Sequence, residues 1–514
     1  MMAARWWTWL REDVWEIRFR RYAALLVAAV LVAGTAWGVV TYIGRQPSCA
    51  PGVARLEGGD CVGVSTTAYD FGQRRFADVV QAVYRENDRL KSGGYVTVAL
   101  FEPFTASDPD SVDDTLHELQ GAYLAQYRAN HDATGEMPQI RLVLANTGRD
   151  GSYWPRVVDR LTRMAEGADR LRAVTGIGLS TDNNRAAVKE LTHRGIPVVG
   201  SSITADSLAN GADGKDPYPG LARVAPTNSD SARALASFAR VSGGRALLVY
   251  DKPGDPYTRT LQSAFEKLVA GSPYQAQPFT PPEDRTQEGT TANQFRQITQ
   301  LVCDTPKTTD TILFAGRHTQ LRQFVNALGA RGCMDHRLTV LTGDEGSYLN
   351  GDKRLDWKAL ARNLSVRYTA LAHPDAWKKE TARTGGSAAD AQELDGLIAR
   401  GAKQPVGPIG AVDLADGQLI IAYDAMRLAV QGMREATPTG SAVPALTDVV
   451  NEWAFMKGSH RVDGASGWIC LDVHGNPYDK AVPIVELTPD GGARFVRIAW
   501  PEGRPPAKEC LPPA

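Results

Sequence analysis

The chain is poor in the strings that mark catalysis. Its 514 residues hold no HExxH, no GxSxG and no P-loop, and "TGIGLS" (175–180) stops after its second glycine, short of a dinucleotide fingerprint. His193, His318 and His336 stand far apart in a chain with eight histidines, so each reads as a surface or capping residue. These absences exclude the common hydrolases, metalloproteases and nucleotide-dependent enzymes, and the chain reads as a non-enzyme that needs no cofactor. Charge of one sign is missing as well. With 57 Lys and Arg against 58 Asp and Glu the net charge is −1, without the basic excess that nucleic-acid binding requires. Cysteine is sparse: there are six, none at CxxC or Cys/His ligand spacing, which excludes a zinc site and a dithiol redox centre.

One long apolar run is present. Between Arg21 and Arg45 no charged residue occurs, and about 23 positions at about 1.5 Å each give roughly 34 Å of helix, enough for a hydrocarbon core of about 30 Å. A secretory h-region is shorter, although "GTA" ending at Ala36 offers a small-residue cleavage site. A lipobox is excluded, because Gln46, Pro47 and Ser48 precede Cys49. The run therefore predicts a transmembrane helix over 22–44. Arg5, Arg11, Arg18, Arg20 and Arg21 keep a stub of 1–21 cytoplasmic by the positive-inside rule, so the localisation expected is the cell membrane, single-pass, with the large C-terminal part extracytoplasmic. Within the stub, Trp6, Leu10, Val14 and Ile17 share a helical face suited to the inner headgroup layer.

All six cysteines follow the span, on the side where disulfides persist. Cys49 with Cys61, Cys303 with Cys333 and Cys470 with Cys510 are the most economical pairs, though six cysteines allow many connectivities. "SCAPGVARLEGGDCVGV" reads as a Gly-rich loop closed by the first pair, followed by an amphipathic helix over 74–90 with Phe76, Val79, Val80, Val83 and Tyr84 inward.

Beyond Gly94 short β-branched runs alternate with amphipathic helices, the α/β signature. Strands "YVTVALF" (95–101), "IRLVLA" (140–145), "LRAVTGIG" (171–178) and "IPVVGS" (196–201) are separated by helices over 115–130, 154–167 and 184–195. After the Gly/Pro-rich stretch 212–220 a second series has strands "RALLVYD" (245–251), "TILFAG" (311–316) and "LTVLTGD" (338–344), with helices over 230–241, 257–269, 292–303 and 319–332. A helix over 416–435 and turn-separated strands "GWICLDV" and "AVPIVEL" follow, and the Pro-rich end is expected to be extended, held only through Cys510. Two α/β lobes on one chain normally enclose a cleft, with ligands beyond the carboxyl ends of the strands.

The strings "LQGAYLAQYRAN", "HRGIPVVGSSITADSL", "RVAPTNSDSARALA", "LLVYDKPGDPYTRTLQSAFEK", "GQLIIAYDAM" and "GASGWICLDVHGNPYDKAVPIVEL", in that order, resemble the type I periplasmic solute-binding proteins, the leucine/isoleucine/valine-binding class of ABC transporter substrate-binding proteins. The resemblance covers about 94–498 and implies two doubly wound parallel sheets joined by a hinge. It implies lobe 1 over 94–222 and 364–460 and lobe 2 over 223–363 and 461–498. Residues 45–93 form an extracellular extension and 499–514 a tail. The function implied is the binding of an amino-acid-like solute for delivery to an ABC permease. A tethered ligand sensor acting through a separate partner protein is the alternative, since the stub is too small to be an output domain.

The resemblance also implies the contacts. Ser180 and Thr181 match the loop that holds a ligand carboxylate, and Ser201, Ser202 and Thr204 match the second contact loop. Tyr257 matches the aromatic of the facing lobe and Glu345 the acceptor for a ligand ammonium, while Arg317 is suited to a second carboxylate. The first loop, "EPFTASDPDSVDDT", is longer and more acidic than the family pattern and offers Thr105 and Ser107.

Overall fold

The computed structural model describes residues 19, 22–23, 25–27, 29–34, 48–90, 94–131, 138–283, 287–379, 385–401 and 406–512. The expected cytoplasmic stub and much of the expected span, 22–44, lie outside them. Among the described residues no helix is long and apolar enough to cross a membrane.

Two sheets organise the rest. The first runs β1 (Ser48–Ala50), β2 (Val53–Arg55), β3 (Cys61–Ser65), β5 (Gln139–Asn146), β4 (Tyr95–Glu102), β6 (Leu171–Gly176), β7 (Val198–Gly200), β8 (Leu221–Arg223). From β5 to β8 all neighbours are parallel, and β3 joins β5 antiparallel through Gly63, Val64 and Ser65. Residues 48–65 are thus part of the first sheet, whereas their short, glycine-interrupted runs read as a loop. The Cys49–Cys61 disulfide ties β1 to β3, and α1 (Ala77–Asp88) buries Val79, Val80 and Val83 beneath the same sheet.

Both faces of this sheet are covered. Val96, Val98 and Leu100 of β4 face a core shared with α1, α2 (Pro109–Asn130) and α10 (Gln418–Glu435). Ala99 and Phe101 face the opposite core, built with α3 (Trp154–Glu166) and α4 (Asp182–His193). This strict alternation is the period of two that strands impose. Helix α2 begins six residues before the sequence pattern places it, because Asp108 caps it by accepting from the Ser111 N–H at 2.8 Å and Pro109 supplies a preset first turn. Half of the supposed acidic loop is therefore helix.

The second sheet runs β10 (Gln277–Phe279), β9 (Ala246–Asp251), β11 (Thr311–Ala315), β12 (Leu338–Thr342), β13 (Leu364–Thr369), β16 (Val482–Thr488), β17 (Gly492–Ala499). It is parallel from β10 to β13 and closes with an antiparallel pair. Its faces carry α5 (Asn228–Ala239), α6 (Pro256–Leu268), α7 (Thr291–Cys303) and α8 (His318–Gly329), with the Cys303–Cys333 disulfide linking the end of α7 to the segment after α8. Since β13 pairs with β12, the second sheet keeps the chain through Thr369 and not only to 363. The chain then adds α9 (Ala388–Arg400), α10, α11 (Leu446–Glu452) and the β14 (Val462–Gly464)/β15 (Gly467–Ile469) hairpin to the first lobe before crossing to β16. Of the "GWICLDV" run only 467–469 is strand. Cys470 pairs with Cys510, which pins the C-terminal segment beside this last crossing.

Candidate functional site

In each sheet the strand order reverses beside a central strand, at β4/β6 in lobe 1 and β9/β11 in lobe 2. The carboxyl ends there open crevices that no helix fills. In lobe 1 this crevice is a cavity of about 350 Å³, lined among others by Glu102 and Pro103 after β4, Ser107, Asp108, Asp114 and Glu118 of the loop and α2, Gly178, Leu179 and Thr181 after β6, and Gln418 of α10. Glu102 and Glu118 are 4% and 1% exposed. Glu102 Oε1 accepts from the Gly178 N–H at 3.0 Å. Burial, and then the neighbouring Glu118 charge, pushes the Glu102 carboxyl well above its usual range. Burial raises Glu118 despite its hydroxyl partners, and burial followed by the Asp416 charge raises Asp114 well above the ordinary value.

The facing end of lobe 2 holds an ion network. Arg317, which precedes α8, donates from Nε to Asp255 at 3.0 Å, pairs through Nη1 with Glu345, and lies over the Tyr257 ring with its guanidinium carbon 4.6 Å from the centroid. Glu345 also accepts from the His318 N–H at 2.9 Å and faces His318 Nδ1 at 2.7 Å. Burial alone would raise the Glu345 carboxyl, but the Arg317 charge and the His318 hydrogen bond outweigh it and hold the pKa at about 2. Burial alone would lower His318, but its bonds to Asp110 and Glu345 prevail and hold it at about 9.

Several contacts cross the cleft among the described residues, Gln418 Nε2 to the Tyr348 hydroxyl at 3.4 Å being one. His318 Nε2 meets Asp110 at 3.1 Å, the Tyr348 hydroxyl donates to Asp114 at 2.6 Å, Arg317 Nη2 reaches the Ser180 carbonyl at 3.3 Å, and Arg259 lies 3.6 Å from Asp182. The two lobes therefore meet through charged and polar side chains at the carboxyl ends of both sheets.

Solved structures share this two-lobed fold. The leucine-binding protein LivK of Thermotoga maritima superposes with a TM-score of 0.54 at 16% identity, covering 79% of this chain and 99% of its own. The branched-chain amino acid transporter substrate-binding protein LivJ of Streptococcus pneumoniae, solved with isoleucine, gives 0.53 at 16% over 79% and 99%. An ABC transporter solute-binding protein from R. palustris, solved with 4-hydroxybenzoate, gives 0.55 at 15% over 79% and 96%. The chain has the type I periplasmic-binding-protein fold. No family model matches the sequence, and no curated protein matches it.

On this periplasmic-binding-protein fold the residues expected at the ligand fall into three groups. Ser107 and Thr181 line the lobe 1 cavity, and Thr181 also caps α4 by accepting from the Asn184 N–H at 3.2 Å. Ser180, Ser201, Ser202, Thr204 and Thr105 are engaged with the protein itself. The Ser180 hydroxyl accepts from the N–H groups of Thr204 and Ala205 at 3.1 and 3.2 Å, and Thr105 accepts from Asn146 at 3.1 Å. Ser201 and Ser202 lie 2.7 and 2.8 Å from the Glu118 carboxylate and 2.9 and 2.6 Å from the carbonyls of Gly176 and Gly178. Each hydroxyl has one proton and two acceptors facing it, so the two hydroxyls serve two of these four contacts and a proton on Glu118 would serve a third. Tyr257, Arg317 and Glu345 come together as expected in lobe 2, but with one another.

Sequence reasoning missed Glu102, Asp114, Glu118, His318 and Gln418. Two signals could have found the acids. "YVTVALFE" ends an apolar strand on a carboxylate, at the end where ligands bind. Asp114 and Glu118 stand four apart on a helix, which puts both on one face. His318, read as a surface residue, is the hub of the cross-cleft network, while His336 is a satisfied core histidine whose Nε2 meets the Thr309 carbonyl at 2.8 Å.

Proposed function

We propose that the chain is a membrane-tethered extracytoplasmic receptor that holds a small polar solute between its lobes and delivers it to an ABC permease. The observation that carries this reading is the cavity at the lobe 1 switch point, lined by lobe 1 residues, with Tyr348 of lobe 2 bonded to its Asp114 and His318 to the neighbouring Asp110. Binding suits the groups present, carboxyls, hydroxyls and amides that can make hydrogen bonds to a polar solute. Of the two charged ends of an amino-acid-like solute, the cavity has groups for the ammonium. Three disulfides favour an oxidising compartment. The tether is supported by Leu26 and Val30, which are 66% and 61% exposed, an apolar surface that a soluble domain would bury.

The direct side-chain contacts between the lobes favour a second reading, a tethered sensor whose closed form is held by its own side chains and relayed by a partner protein. A thermal-shift screen of the full chain against amino acids, peptides, sugars and polyamines tests binding itself. A solute at a hundred times its Kd adds about 2.7 kcal/mol, a shift of several degrees. A folded chain that answers to no solute in the screen sinks the receptor reading.

A further inference from the structure

This inference rests on the solute-binding reading and names the class of solute. Five carboxylates line one cavity: Glu102 at the end of β4, Asp114 and Glu118 one turn apart on α2, and the more exposed Asp108 and Asp150. The basic residue among the described lining, Arg149, has a side chain 58% exposed and paired outward with Asp60 at 3.5 Å. The lobe 2 cations at the cleft are already paired, Arg317 with Asp255 and Glu345, His318 with Glu345 and Asp110, and Arg259 with Asp182. A second, independent observation comes from α10. Gln418 is 4% exposed and lines the cavity, its Nε2 donates to Tyr348 at 3.4 Å, and its Oε1 has no hydrogen-bond partner. A buried acceptor left unmade costs about 1–3 kcal/mol, and it asks for an N–H or O–H donor from whatever enters.

We infer that the cleft takes an organic ammonium ion of the diamine or polyamine class, held by Glu102 and Glu118 with Gln418 as the neutral acceptor. A carboxylate ligand has no comparable welcome. Of the hydroxyls expected to receive it, those of Ser201 and Ser202 face Glu118 and backbone carbonyls and that of Ser180 accepts from backbone N–H groups, which leaves Ser107 and Thr181 at the cavity, and the exposed Asp150 carboxylate would repel it. A bare metal ion is also a poor fit. The cavity of about 350 Å³ is many times an ion's size, and the described residues form no His/Cys/Asp/Glu group with metal-ligand geometry. A chain with two or more ammonium groups suits the distribution of acids, since the more exposed Asp108 and Asp150 line the same cavity beyond the buried pair. Burial holds Glu102 and Glu118 toward their protonated forms, and an ammonium in charge-assisted contact would supply the missing counter-charge.

The test is calorimetric titration of the full-length, disulfide-intact chain with putrescine, spermidine, leucine and 4-hydroxybenzoate at about 0.15 M salt, where surface charge is screened. The expected result is binding of one or both amines at least about tenfold tighter than of leucine or 4-hydroxybenzoate. Glu102→Gln and Glu118→Gln should each weaken the amine about tenfold or more, and Gln418→Leu several-fold. If the Glu variants do not fold, Gln418→Leu alone carries the siting. Preferential binding of leucine or 4-hydroxybenzoate overturns the amine class and leaves the receptor reading standing. An amine bound equally well by all folded variants overturns the site. Silence toward these four and toward the wider solute screen overturns both readings together.

Discussion

The His318 ring joins two carboxylates, Glu345 on its own lobe and Asp110 on the other. Its pKa of about 9 lies above the ordinary 6.5, so its contribution to stability is fully present below about pH 6.5 and is lost as pH rises through about 9. Glu345, depressed to about 2 from 4.5, contributes above about pH 4.5 and loses that contribution as pH falls through about 2. We expect His318→Ala to cost on the order of 2–3 kcal/mol near pH 6 and little above pH 10, read as the difference between wild-type and variant urea midpoints across pH. A constant difference from pH 6 to 10 would show that packing against the Tyr348 ring, 4.6 Å away, is what His318 supplies. At this scale the sequence disclosed positions better than roles. Tyr257, Arg317 and Glu345 were legible as loop residues at strand ends, but that Arg317 would bond Glu345 depends on two loops meeting in space, which no spacing along the chain encodes.

The element that positions the candidate site is α2, which carries Asp114 and Glu118 and packs along α10. The two helices approach so closely at Gly121 that a Cβ there would overlap the Leu419 carbonyl and sit 2.8 Å from the Tyr423 nitrogen. Alanine gains about 1 kcal/mol of helix propensity over glycine, while overpacking costs about 1–3 kcal/mol, and here the neighbour is backbone that cannot rotate aside. Gly121→Ala should therefore lower stability by about 1–2 kcal/mol in chemical denaturation; a more stable variant would mean that α10 can shift. Most elements could be read because their apolar periods are long, as in β4 and α10. Those missed share a physical reason. β13 and β17 carry Arg367, Arg494 and Arg497 within the strand, β8 and β10 are three residues long, and β1 to β3 are short runs broken by Gly52, Gly59 and Gly63.

Over the whole molecule, closure is set by contacts between lobes that the chain joins three times, after β8, after β13 and before β16. The last crossing is anchored by buried charge. Asp424 accepts from the N–H groups of Ala465 and Ser466 at 2.8 Å each, and Lys480 donates to the Ser466 and Gly467 carbonyls at 2.8 and 3.1 Å. With the hinge so fixed, opening depends on the cross-cleft bonds. A Tyr348→Phe/His318→Ala double variant should show a larger radius of gyration than wild type in small-angle scattering without ligand, with unchanged helix content. An unchanged radius would mean that these bonds do not set the closed state. The two-lobed plan was legible because each lobe repeats the strand–helix alternation. The crossing after β13 was not, since sheet membership is decided by pairing partners far away in sequence.

The stitching of β1 to β3 onto β5 has a mechanical consequence. Any load applied to the chain near Ser48 enters the edge of the lobe 1 sheet, where the Cys49–Cys61 bond passes it directly from the first strand to the third. In a chain held near Ser48, lobe 1 would be the fixed half and any hinge movement would be carried by lobe 2, so a label on α7 or α8 would be displaced and one on α3 would not.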